Sequence, residues 1–181
     1  MSYAQAQSST ETKVTIEQVL AEVQIGLAKA QTEMADLNMP PLKSVTLTLQ
    51  TLLTRAGGPK LKLLVFSFGQ TWEKEQSQEM ILELTPPRPY TPFDIATEAK
   101  LSVQLVEAII SAAQGVQAAR TGKPPLWLNR MEAEFTFVIK TQTTGSLAVN
   151  VEIVPVSAEL SGDLQKKALH KMKIAFERPQ N

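Results

Sequence analysis

The chain contains no cysteine, which removes disulfides, thiolate nucleophiles and cysteine-ligated metals and leaves the protein compatible with a reducing compartment. Histidine is nearly as scarce: His170 is the single one, and one imidazole among scattered acids offers no metal-ligand spacing. Charge of either sign is not in excess. The 18 Lys and Arg residues balance 18 Asp and Glu, so no overall field attracts nucleic acid or an anionic membrane. No apolar run approaches the roughly 20 residues that cross a bilayer, and the polar residues 1–13 lack a signal-peptide core. These absences predict a cytoplasmic protein with no metal, cofactor, nucleic-acid or membrane partner.

What remains is an ordinary globular composition, 43% hydrophobic and 20% charged, arranged in a repeated order. Residues 14–87 run from an apolar-periodic stretch through Pro40-Pro41 to three strand-like segments and Pro86-Pro87. Residues 99–179 follow the same order, with Pro124-Pro125 and Pro179 in the corresponding places. The reading is an α+β fold of two tandem repeats, each a long helix followed by a three-stranded antiparallel meander. Residues 1–13 form a disordered tail and residues 88–98 a proline-rich linker with the start of the second helix. A unit of about 75 to 80 residues has a marginal core alone, so the repeats are expected to lean on each other, related by an approximate twofold.

Local signals support the elements. Thr15 and Gln18 resemble a capping box, and Ile16, Val19, Leu20, Val23, Leu27, Ala30 and Met34 form one helical stripe reaching about Leu37. Asn38 suits a left-handed cap before the prolines. Val45, Leu47 and Leu49 alternate with polar residues, as in a half-buried strand. Gly57-Gly58-Pro59 makes a turn into a strand over 60–68, and Met80, Leu82 and Leu84 mark the next strand. In the second half a helix starts near Asp94 or Thr97, ends at Arg120 and takes Gly122 as a left-handed cap. Strands follow at Met131 to Ile139, Leu147 to Ile153 after a turn at Gly145, and Met172 to Phe176 after a loop at Ser161-Gly162-Asp163. The two helices are expected to pack together, because each outreaches its own strands.

Catalytic chemistry finds little support. His170 with Ser157 or Ser161 and Asp163 lacks a nucleophile elbow, and its lysine neighbours disfavour an imidazolium. The expectation is an exposed histidine at a strand entrance. The outward acids and lysines read as cross-strand partners: Lys60 and Lys62 with Glu79 and Glu83, and Lys171 and Lys173 with Glu132, Glu134 or Glu152. No catalytic, cofactor or metal residue is assigned. Binding candidates are Leu64, Phe66 and Phe68, which oppose Leu61, Leu63 and Val65 on a two-sided apolar strand, and the loop tryptophans Trp72 and Trp127. The layer covering that strand could be the other repeat, a second chain or a partner.

The runs Leu101 to Ile109, Met131-Glu132-Ala133-Glu134-Phe135, Val149 to Ala158 and Lys171 to Phe176 resemble elements of the trypsin-co-occurring domain family of the second type. The resemblance implies a small non-catalytic module, an adaptor or sensor in bacterial conflict or signalling systems linked to trypsin-like proteases. This chain carries two such patterns and no protease. The expected function is therefore a non-enzymatic interaction module with a protein partner, a homodimer included. The alternative is a small-molecule or peptide binder with an apolar pocket between the repeats, lined by Phe135, Phe137 and Trp127.

Overall fold

The computed structural model describes residues 14–55, 61–68, 77–86, 100–141, 149–154 and 168–179. Among these residues two α-helices, α1 (Ile16–Met34) and α2 (Lys100–Arg120), pack against each other over one sheet of seven strands. The strands are β1 (Val14–Thr15), β2 (Leu42–Arg55), β3 (Leu61–Val65), β4 (Ser77–Leu84), β5 (Arg130–Thr141), β6 (Val149–Val154) and β7 (His170–Glu177). The tail at 1–13, the turns at Gly57 and Gly145, Trp72, the linker, the start of the second helix and the loop at Ser161 lie outside the described residues.

Helix α1 forms as its sequence dictates. The Thr15 side chain accepts from the Gln18 N–H while the Gln18 side chain accepts from the Thr15 N–H, closing the capping box and satisfying two open amides. Val19, Val23, Leu27, Ala30 and Met34 are buried, spaced to share the face toward the sheet. After a 3-10 turn, Asn38 adopts φ 49°, the left-handed conformation that short polar side chains tolerate. The C-terminus of α2 differs from expectation. Gly122 has no left-handed φ; instead the Gly122 and Leu126 N–H groups both donate to the Ala119 carbonyl, satisfying that helix-end carbonyl by a wide loop.

The expectation of two repeats, each a helix plus a three-stranded meander, is overturned. Both halves share one sheet, ordered β1-β3-β2-β7-β5-β6 with β4 on the remaining edge of β2. Apart from the two-residue β1, the first strand of each half is central, flanked by the other two (β3-β2-β4 and β6-β5-β7). A meander would have placed the middle strand there. The approximate twofold fails too: β7 of the second half pairs with β2 of the first, whereas among the described strands β4 has no pairing with β5. Alternation of apolar residues decides which face of a strand is buried, not which strand lies beside it.

The reason both β3 and β7 fit on one edge of β2 is its length of 14 residues. β7 occupies Leu42 to Thr48 and β3 occupies Thr51 to Arg55. The Phe66 N–H still donates to the Gln50 carbonyl of β2; beyond it the chain crosses over, and the Phe68 N–H donates to the Ile139 carbonyl of β5. The core lies between the sheet and the helices: Val45, Leu47, Leu49, Met172, Ile174, Phe176, Phe137 and Ile139 meet Val19, Val23, Leu105 and Ile109. On the other face, outside that cluster, Leu52, Leu64, Phe66 and Val138 are also buried.

Candidate interaction surface

The face of the sheet turned away from α1 and α2 carries charged side chains in rows. Lys173 pairs with Glu132 at 3.1 Å and Lys171 lies 3.9 Å from Glu134, the cross-strand pairing expected from the sequence. Arg130 joins Glu132, Lys43 joins Glu177 and Lys140 joins Glu152. The hydrogen bond from Arg130, with help from Lys173, holds the Glu132 carboxyl below the usual carboxylate range; Lys43 does the same for Glu177. These pairs are exposed and contribute little net stability. Of the expected pairing of Lys60 and Lys62 with Glu79 and Glu83, Lys60 lies outside the described residues, and Lys62 has neither acid on a neighbouring strand, because β2 separates β3 from β4.

His170 departs most from the sequence reading. It is completely buried, not exposed. Its Nδ1 accepts from the Gln50 N–H at 3.1 Å, its Nε2 lies 2.9 Å from the Phe66 carbonyl, and its ring lies 5.2 Å from that of Phe137. Burial, rather than the neighbouring lysines, pushes its pKa down to about 4. The neutral tautomer with hydrogen on Nε2 satisfies both contacts, whereas an imidazolium would point a second N–H at the Gln50 amide. Its suggested triad partners Ser157, Ser161 and Asp163 lie outside the described residues. The sequence held a signal for this burial: Met172, Ile174 and Phe176 alternate on the core face, and the same period continued backwards reaches position 170.

The binding candidates separate. Leu64 and Phe66 are each 3% exposed, so they pack the interior. Phe68 is half-buried with the Lys140 ammonium 5.7 Å from its ring. On the opposite side of the same strand only Val65 is fully buried; Leu63 is half-buried and Leu61 exposed. Trp127 stands at the surface beside Leu126, the two being 62% and 61% exposed, while the Arg120 guanidinium lies 4.7 Å from the Trp127 ring centre. Phe137 is enclosed against His170 and Phe135 is half-buried, so these two do not share the surface position of Trp127. A pocket of about 390 Å³ is lined instead by Asn129, Arg130, Glu177, Arg178 and Pro179. Its cations are engaged: Arg130 with Glu132, and Arg178 with the Leu128 and Asn38 carbonyls.

No family model, curated protein or solved structure matches this chain. Among the described residues no group of three or more His, Asp or Glu could hold a metal ion, and no helix is long and apolar enough to cross a membrane.

Sequence reasoning missed one surface. The outer edge of β4 carries Glu79, Ile81 and Glu83, all exposed, with Ile81 at 64%, and no described strand pairs with it.

Proposed function

We propose that the protein is a non-catalytic interaction module of the adaptor kind, engaging a protein partner through the tip formed by Leu126 and Trp127. The observation that carries this reading is the exposure of these two large apolar side chains next to each other, 61% and 62%. The Leu126 amide is tied to the Ala119 carbonyl of α2, so part of the ordering cost of binding is already met. Arg120 beside the indole adds the residue type that joins tryptophan in interface hot spots. The sequence resemblance suggests a partner from a system containing a trypsin-like protease, and a cytoplasmic setting belongs to the same reading.

The test compares wild type with Trp127→Ala and with the Leu126→Ser, Trp127→Ala pair in affinity capture from the native host. Truncating a hot-spot tryptophan costs about 2 kcal/mol or more, roughly a thirtyfold loss of affinity, while the melting temperature stays unchanged. Equal recovery of the same partners by all three proteins would refute the assignment.

A further inference from the structure

Two strand edges in this molecule carry backbone groups with no described partner, and they match. Gln50 directs both its groups toward the β7 and β3 side of β2: its N–H meets His170, and its carbonyl accepts from Phe66. Backbone groups of successive strand residues address opposite edges, so Val45, Leu47, Leu49 and Thr51 serve the ladder to β4. Their register partners are Leu84, Leu82, Met80 and Gln78. The N–H and C=O groups of Glu79, Ile81 and Glu83 therefore point away from β2, where no described strand lies.

The same reasoning applies to β5. The carbonyls of Asn129 and Ile139 accept from Arg178 and Phe68 on the β7 side, so odd-numbered residues face β7. Arg130, Glu132 and Glu134 thus address the other edge, where the ladder to β6 begins only at Thr136. On β2 the corresponding half-edge, Leu42 to Thr48, is filled by β7.

We propose that the chain assembles head to tail, the outer edge of β4 in one copy adding to this half-edge of β5 in another. The contact repeats between molecules the pairing that β7 makes with β2 inside one. The directions are right: β4 and β7 both run antiparallel to β2, and β2 and β5 both run antiparallel to strand β7. Superposing the β2–β4 ladder on the β5–β7 ladder equates Val45 with Met131 and Leu84 with Phe176. Repeating the β2–β7 register then sets Leu82 opposite Met131, Met80 opposite Ala133, Ile81 opposite Glu132 and Glu83 opposite Arg130.

The side chains favour this register. Met80, Leu82, Met131 and Ala133 are half-buried in the single copy and would complete each other's apolar cover on the helix side. On the other face Glu83 meets Arg130, an opposite-charge cross-strand pair in which the guanidinium is shared with Glu132. Glu79 meets Glu134, and Lys171 at 3.9 Å from Glu134 offsets the repulsion. Such a contact uses different surfaces on the two partners, so it is heterologous and adds copies into a ring or an open filament rather than pairing like patches as a twofold dimer does. It is independent of the Trp127 tip.

The experiment uses sedimentation velocity on the full chain and on two edge-blocked variants, Ile81→Pro and Glu132→Pro, each removing one outward N–H. Wild type is expected to sediment faster as concentration rises. Each variant alone remains monomeric, while a mixture of the two forms a one-to-one complex, because each retains the edge the other lost. Circular dichroism establishes that both variants fold. As a check free of substitutions, amide exchange at Glu79, Ile81, Glu83, Arg130, Glu132 and Glu134 in wild type slows with concentration. A monomeric wild type with concentration-independent exchange, or self-association of the Glu132→Pro variant through β4 alone, would overturn the proposal. Either result leaves the Trp127 assignment standing, and loss of partner capture at Trp127 leaves assembly unaffected.

Discussion

His170 joins the two halves of the chain at the point where β3 leaves the edge of β2 and β7 takes it over, through Gln50 and Phe66. Burial lowers its pKa from 6.5 to about 4, so between these values the unfolded chain binds a proton that the folded one refuses. Stability is therefore full above about pH 6.5 and declines as pH falls toward 4, by ~3 kcal/mol in all. Urea unfolding between pH 7 and 4 should show this slope, and His170→Gln, which keeps a donor and an acceptor but does not titrate, should flatten it. Carboxylates such as Glu22, raised by burial, are common to both proteins and cancel in the difference. Asn38 offers a second residue-scale expectation. Its positive φ would cost a β-branched residue about 1 to 2 kcal/mol, so Asn38→Val should lower the melting temperature while Asn38→Gly leaves it near wild type. Asn38 was legible from its place before two prolines, whereas His170 was hidden by its polar neighbours at alternate positions.

At the scale of elements, local chemistry sets existence and long-range pairing sets order. The capping box of α1 is closed by neighbours three residues apart, which is why it could be read directly. Thr15→Ala should cost about 1 kcal/mol, visible as a lower urea midpoint with unchanged slope. The end of α2 at Arg120 and the core alternation of β5 and β7 were legible for the same local reason. Strand order was not. Val45, Leu47 and Leu49 show that β2 buries one face, but nothing in them says that β4 takes one edge and β3 and β7 divide the other. The alternation of Leu61, Leu63 and Val65 likewise missed that only Val65 lies deep in the core.

For the whole molecule, a shared sheet means the halves do not unfold separately. β7 lies between β2 and β5, so removing buried volume there weakens both. Ile174→Ala should cost about 2 to 5 kcal/mol and move a single transition seen alike by far-UV dichroism and by the fluorescence of the two tryptophans; two separated transitions would contradict the shared sheet. The position of β7 in the chain has a further consequence during synthesis. The edge of β2 from Leu42 to Thr48 receives its neighbour only once the segment His170–Glu177 has been made. At about 5 to 20 residues per second, a nascent polypeptide on the ribosome carries that bare edge for several seconds, available to chaperones or to the wrong strand of an adjacent nascent chain.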